Sequence, residues 1–333
     1  MNSKGPVLRI IPVGGCEEVG RNMTILEYGN DIVIIDMGLQ FPEEDMPGID
    51  YIIPNVSYLI PKRANIRGVI ITHAHYDHIG AIPHIMPQLG EKISIYATDI
   101  TCAIIARRQE DYKHYGSHLQ LNEIKNDTTL TLGSFKIEFF GVSHNIPGSV
   151  GVIAETPAGI VIHTGDFKID LKSDIAGKTE VDKIKALGKR NVLALLSDST
   201  NAREPGHQFS EQDIKVELEE VIANAKGRLI IGTFASLLGR LNQIIQLAER
   251  SKKKVAIDGH SMKLNIEIAK RLGYMSFNQK TVIPVEEVRR YPPEKIIILA
   301  TGAQGEGRAV LMRLANREHR VLSIEPGDTV VFS

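Results

Sequence analysis

Cysteine is nearly absent: Cys16 and Cys102 are the only two in 333 residues. A disulfide framework and a zinc site built from cysteine are thereby excluded, and both residues read as reduced thiols. An excess of either charge is also missing. With 39 Lys+Arg against 40 Asp+Glu, the formal net charge is -1. That rules out a protein that coats nucleic acid through bulk positive charge, though not a local basic groove. No apolar run approaches the ~20 residues of a membrane span. The opening Met1-Asn2-Ser3-Lys4-Gly5-Pro6 has no apolar core behind its lysine, so it is no signal peptide. The expectation is a soluble cytoplasmic protein without a membrane partner. What is present is ordinary: 43% hydrophobic and 24% charged residues exclude disordered, collagen-like and coiled-coil chains. The length suits two domains with a proper core.

Residues 7–13, 23–27, 32–36, 69–72, 93–97, 135–142, 150–155 and 160–164 read as short strands bounded by Gly, Pro, Asn or Asp. Helices are few here, at 79–89 and 99–112, which suggests packed sheets with helices outside. After a strand at 191–197 the rhythm changes. Ser210-Glu211-Gln212-Asp213 is a capping-box pattern, followed by Ile214, Leu218, Val221, Ile222 and Ala225 at helical spacing. Strands at 228–233, 254–258 and 295–300 then alternate with helices at 237–250, 263–272 and 308–316, the pattern of a parallel sheet with helices on its faces. The boundary falls near 205, giving domains 1–204 and 205–333.

The strongest motif is Thr72-His73-Ala74-His75-Tyr76-Asp77-His78, directly after an apolar strand. Imidazole nitrogen and carboxylate oxygen are the ligands of hydrolytic zinc sites. Residues two apart at a strand end project to one side, so His73 and His75 approach one metal together. Asp77 and His78 begin the next turn and face a second. His144 and Asp166 each follow another strand end and complete the inventory: His73, His75 and His144 on one metal, Asp77 and His78 on the other, Asp166 between. Two divalent ions at a spacing of about 3.5–4 Å suit in-line attack on a phosphodiester. Asp36, ending the strand 32–36, is expected to orient a metal-bound histidine by hydrogen bond. His84, His114, His118, His207 and His319 show no partner pattern and read as surface or helix residues.

Other motifs carry less. Gly14, Gly15 and Gly20 lack the Gly-Lys-Ser/Thr of a nucleotide P-loop. Gly302, Gly305 and Gly307 do not have dinucleotide-binding spacing and read as a tight turn. Lys252-Lys253-Lys254 reads as a solvated helix end. Arg107-Arg108 either lines a substrate channel or covers a solvated helix face.

These residues resemble a known family. His73-x-His75-x-Asp77-His78 with His144 and Asp166 looks like the metallo-β-lactamase fold and, within it, the ribonuclease J family of the β-CASP branch. Gly14 to Met23, Phe41-Pro42-Glu43-Glu44-Asp45, His163-Thr164-Gly165-Asp166-Phe167-Lys168 and Ser197-Asp198-Ser199-Thr200-Asn201 match further family blocks. The resemblance implies an α/β fold: an αββα metallo-β-lactamase sandwich with an inserted β-CASP domain. It implies metal-dependent hydrolysis of RNA, as a 5′-to-3′ exonuclease often with endonuclease cuts. Two Zn2+ are the implied cofactors, with Mn2+ or Mg2+ as substitutes. The implied partner is single-stranded RNA carrying a 5′-monophosphate, and the full-length enzymes pair as dimers or tetramers. Asp77 then orients the attacking nucleophile, Asp198 orients a histidine near the leaving oxygen, and Thr233-Phe234-Ala235-Ser236 holds a phosphate or the adjoining nucleotide.

Departures are Leu237 where Asn is usual, His260 where Arg is usual, Gly307 where Pro is usual, and Tyr76 where an acid is frequent. No His-x-Ser-Gly-His-like block follows Asp166, and the sequence stops at Gly327-Asp328-Thr329-Val330-Val331-Phe332-Ser333. The resemblance thus implies an N-terminal portion with both domains incomplete and weak occupancy of the second metal. The competing expectations are a hydrolase of a small ester on the same fold, which has no use for a β-CASP lid, and an inactive RNA-binding fragment.

Overall fold

A computed structural model describes residues 5–43, 45–90, 92–115, 118–170, 172, 180–303 and 309–333, without the side chains of 113–115. Glu44, the residues preceding Gly5, the turn residues Gly305 and Gly307, Arg308 and the side chain of His114 lie outside them. The chain divides into two compact units: 1–144, 148–169 and 177–206 form one; 145–147, 170–176 and 207–333 form the other.

The first unit carries two sheets. One has the order β1 (Leu8–Gly14), β2 (Met23–Tyr28), β3 (Asp31–Ile35), β4 (Ile66–Ile70), β5 (Ser94–Thr98), β6 (Gln120–Ile124). The other contains β7 (Thr129–Leu132), β8 (Phe135–Gly141), β9 (Val150–Thr156), β10 (Gly159–His163) and β11 (Val192–Leu196), in the order β11-β10-β9-β8-β7. Leu26, Val33, Ile35 and Ile70 of the first sheet pack with Ile137, Phe139, Val152 and Val161 of the second in one buried core. Alternation along the strands supplies these faces, since every second side chain points inward. Three helices follow the strands of the first sheet: α1 (Tyr76–Ile79), α2 (Ile82–Leu89) and α3 (Asp99–Gln109). The third of these packs on β5 and β6. A fourth, α4 (Val181–Leu187), buries Leu187 against Phe140, Ile153 and Ile162 on the other face of the second sheet. Helices outside two packed sheets is the layering that the sequence predicts.

The second unit is a five-stranded parallel sheet of β12 (Leu229–Gly232), β13 (Lys254–Asp258), β14 (Val282–Ile283), β15 (Ile296–Ala300) and β16 (Thr329–Phe332), in the order β14-β13-β15-β12-β16. The helices α5 (Glu211–Asn224), α6 (Leu238–Arg250), α7 (His260–Arg271) and α8 (Val310–Ala315) alternate with the strands. Every residue of β15 is buried, as in a parallel sheet covered on both faces.

Some local readings change. The helix expected over 79–89 is split between α1 and α2, because Gly80 and Ala81 separate them and Pro83 opens the second. The helix expected to reach 112 turns into a 3-10 segment at Glu110–Tyr115. The strands β6 and β7 and the helix α4 carried too few periodic apolar residues to be seen. Lys253 is no solvated helix end: it is buried, its ammonium donates to the Glu294 carbonyl at 2.6 Å, and burial lowers its pKa. His319 is likewise no plain surface residue, since its Nε2 lies 2.8 Å from an Asp258 carboxylate oxygen. Among the described residues no helix is long and apolar enough to cross a membrane.

The capping box at α5 forms as its sequence pattern predicts. Ser210 Oγ accepts from Gln212 N at 3.1 Å, and Ser210 N donates to Asp213 at 3.3 Å. Asp170 adds a carboxylate that accepts from Ser210 Oγ and Glu211 N. Ser210→Ala is expected to lower stability by about 1 kcal/mol, read as a shifted midpoint in urea unfolding followed by circular dichroism.

Candidate metal centre

The site forms where strands of both sheets in the first unit end. Asp36 follows β3, Thr72 to His75 follow β4, His144 follows β8, Asp166 follows β10 and Asp198 follows β11. Strands β3 and β4 are parallel, as are β10 and β11, so within each sheet these ends lie on one edge. The two edges are tied directly: Val150 N donates to Thr72 O at 3.0 Å.

Asp36 holds the arrangement together. It is 1% exposed and has a left-handed backbone, φ 63°. That conformation is uncommon for a residue with a Cβ but tolerated by Asp. Its carboxylate accepts from Thr72 N at 2.8 Å and Thr72 Oγ1 at 2.9 Å, and lies 2.8 Å from His78 Nδ1. Thr72 Oγ1 gives its one proton to Asp36, so at 3.0 Å from His73 Nδ1 it accepts. Both rings therefore carry a proton on Nδ1, and both turn Nε2 inward. A carboxylate that fixes the tautomer in this way is the usual support of a metal-binding histidine.

The inward atoms converge. His73 Nε2 lies 3.1 Å from His75 Nδ1, which lies 3.1 Å from His144 Nε2. Asp166 Oδ2 is 3.8 Å from His73 Nε2 and 3.7 Å from His144 Nε2. On the other side, His78 Nε2 is 3.3 Å from Asp77 Oδ2 and 3.4 Å from Asp166 Oδ1. Two groups result, His73/His75/His144/Asp166 and Asp77/His78/Asp166, in each of which the ligand atoms lie within 4.8 Å of one another. Donors bound to one ion at about 2.0–2.2 Å in tetrahedral array are separated by about 3.3–3.6 Å. The donor set and its spacing thus fit divalent cations, with Asp166 offering one oxygen to each group. His73 and His75 do approach one place together, but from a loop and not from alternate positions of a strand. Residues 71–75 have left the strand, the rings stand at 82°, and they present different nitrogens.

The helix α1 is clamped from behind. Met37 N donates to His78 O, Leu39 N to Tyr76 O and Asn22 N to Asp77 O, at 2.8 to 3.1 Å. Gly38 is required here, because a Cβ on it would sit 1.6 Å from the Asp77 carbonyl oxygen. Asn22 also donates through Nδ2 to Asp77 Oδ2 at 3.1 Å. Thr72 and Asn22 had no assigned role in the sequence. The adjacency of Thr72 to His73 hinted at one, but Asn22 is 55 residues from Asp77 and only the fold brings them together.

Burial lowers the pKa of His73 far below its usual value, and the neighbouring histidines add to this. His75 is pushed down to about 3 by burial and by His144, and burial also lowers His144. His78 goes the other way. Burial opposes its charge, but the carboxylates of Asp36, Asp166 and Asp77 outweigh that and hold its pKa well above normal. Asp77 and Asp166 lie low despite burial, chiefly through His78.

Asp198 stands beside this centre and not in it. Its backbone N donates to Thr164 Oγ1, and its Oδ1 accepts from Thr200 N and Oγ1 at 2.8 Å. No histidine is among its hydrogen-bond partners in the described residues. Thr233, in the second unit, is fully buried, and its hydroxyl has no hydrogen-bond partner among the described residues. Phe234, Ala235 and Ser236 are half-buried between β12 and α6. Leu237 is buried, a packing residue.

The domain described as "Beta-lactamase superfamily domain" matches residues 46–222, and "Ribonuclease J, beta-CASP domain" matches residues 226–333. Ribonuclease J of Thermus thermophilus is 40% identical over 331 residues, covering 98% of this chain and 57% of that protein. Ribonuclease J2 of Bacillus subtilis is 37% identical over 326 residues, covering 98% of this chain and 58% of that protein. The chain thus spans a little over half the length of these relatives. A solved structure of a protein of unknown function from Enterococcus faecalis shares the fold, with TM-score 0.66 at 15% identity over 88% of this chain and 76% of that one.

The opposite shifts predict distinct proton release. An ion entering the His73/His75/His144 group meets neutral imidazoles and displaces no proton near pH 7. An ion entering the Asp77/His78 group must displace the His78 proton. Affinity there should fall about tenfold per pH unit below the raised His78 pKa. Calorimetric titration of metal in buffers of different ionisation heat measures this.

Proposed function

The chain belongs to the β-lactamase superfamily and, through residues 226–333, to its ribonuclease J branch, and on that premise we propose that it hydrolyses RNA phosphodiesters at the paired His–Asp groups. The observation that carries this is the two overlapping groups sharing Asp166. In the proposal His73, His75, His144 and Asp166 hold one divalent ion, and Asp77, His78 and Asp166 the other. The second group offers one imidazole and two carboxylates among the described residues, so its ion is the more weakly held. Zn2+ suits the nitrogen-rich first group, and Mn2+ or Mg2+ suits the oxygen-richer second. The ions, when bound, supply Lewis-acid charge for water activation and for the developing negative charge on the phosphate.

The chain's own residues do the rest. Asp77 is held ionised and anchored through one oxygen by Asn22, which leaves acceptor capacity to orient the attacking water. Asp36 and Thr72 keep the histidine lone pairs turned inward. Asp198 is a candidate for positioning a group at the leaving oxygen. The segment Thr233-Phe234-Ala235-Ser236 is proposed to receive a phosphate or its nucleotide, with the buried Thr233 hydroxyl as its polar anchor. The substrate is single-stranded RNA with a 5′-monophosphate, attacked from that end, with internal cuts as a second mode. The names of the relatives support the substrate class, and the cytoplasm and a dimeric or tetrameric assembly complete the proposal. Hydrolysis of a small ester is less favoured, because the β-CASP unit has no use there.

The test is Asp77→Ala with labelled 5′-monophosphorylated RNA beside a generic ester. RNA cleavage should fall by at least about 100-fold, and neither protein should turn over the ester. RNA cleavage at the wild-type rate would remove Asp77 from the mechanism.

A further inference from the structure

The metal centre uses His75, Asp77 and His78, but Tyr76 between them takes no part in it. Tyr76 opens α1 and is 46% exposed, a poor place for a large ring unless something covers it. Beneath it lies Arg108 of α3, whose guanidinium carbon is 3.7 Å from the ring centroid. Arg108 is only 9% exposed, so the open surface of the tyrosine faces away from it. Its Nη2 reaches the Gly80 carbonyl at 3.4 Å and Tyr112 Oη at 3.5 Å, and no carboxylate pairs with it among the described residues. Arg108 is therefore no solvated helix residue, and among the described residues it is not half of an ion pair. It is a buried cation holding an exposed ring by cation–π attraction. Next to Tyr76 lies Phe41, 63% exposed, with ring centroids 6.2 Å apart and planes 25° apart. The Leu39 N to Tyr76 O bond, two residues before Phe41, ties the two backbones together.

Two near-parallel exposed rings next to the candidate metal centre, one of them against a cation that no carboxylate among the described residues pairs with, match the chemistry of a nucleobase on a charged strand. Bases stack on aromatic faces whatever their identity, and the positive charge favours the attached phosphates. We infer that Tyr76, backed by Arg108 and flanked by Phe41, is a stacking platform for one base of the RNA strand at the metal centre. The inference rests on the ribonuclease reading and adds to it a positioning device that sets strand affinity with little base preference.

The experiment uses the metal-loaded chain and short 5′-phosphorylated single-stranded RNAs, intact or with one abasic nucleotide scanned along them. Tyr76→Ala should weaken binding by about 5- to 150-fold, the range one stacked base contributes, and raise KM while kcat holds. Tyr76→Phe should restore the affinity. Phe41→Ala, at a position too exposed to endanger folding, should weaken binding less. An abasic nucleotide at one register should weaken wild type as Tyr76→Ala does, and the two losses should not add. Wild-type affinity in Tyr76→Ala, or equal added losses at every abasic position, would overturn the platform while cleavage by wild type still upheld the ribonuclease. A wild-type chain that neither binds nor cleaves RNA would overturn both.

Discussion

A carboxylate buried to 1% exposure is unfavourable unless both of its oxygens are hydrogen-bonded. Asp36 has both oxygens hydrogen-bonded, by Thr72 N, Thr72 Oγ1 and His78 Nδ1, and the arrangement of the site follows from those three contacts. They fix the end of β3 against the end of β4, since Asp36 N also donates to Ile70 O at 2.8 Å. They fix the proton of His78 directly and that of His73 through the Thr72 hydroxyl. The left-handed turn at residue 36 is the local cost of aiming the carboxylate back across the sheet.

From that anchor outward, the site is an edge between two sheets. The first sheet contributes a loop and one short helix turn; the second contributes His144 and Asp166 from strand ends. Each candidate ligand lies beyond a strand end, on the loop or helix turn that follows it, so the core of the sandwich holds the strands from which these segments project. Packed this closely, three imidazoles without a cation suppress one another's charge, whereas His78 among three carboxylates retains it. The same cluster thus presents one neutral nitrogen trio and one charge-rich pocket, which suits ions of different preference.

Much of this could be read from residues alone. The alternating strands, the capping box at α5 and the change to a parallel α/β rhythm all reflect local periodicity. The six candidate ligands reflect local composition, because four of them lie in one heptapeptide and the other two follow apolar strands. The structure brings those six residues into two groups that share Asp166, while the ions and the ligand roles are proposals. What escaped the sequence depends on contacts distant along the chain. Asn22 meets Asp77 only through the fold. Arg108 sits beneath Tyr76, and nothing in the helix that carries it marks it as buried. The strands β6 and β7 are short and polar, and only pairing reveals them.

The central claim is that the Asp36–Thr72 network turns His73 and His78, next to His75 and His144, toward two proposed ions that share Asp166. Anomalous diffraction at the metal edge, from crystals of the chain loaded with zinc, tests it most directly. The account predicts a strong peak bound by His73 Nε2, His75 Nδ1, His144 Nε2 and Asp166, with a weaker one at Asp77, His78 Nε2 and Asp166. A single ion held elsewhere, or His78 bound through Nδ1 with Asp36 displaced, would contradict it.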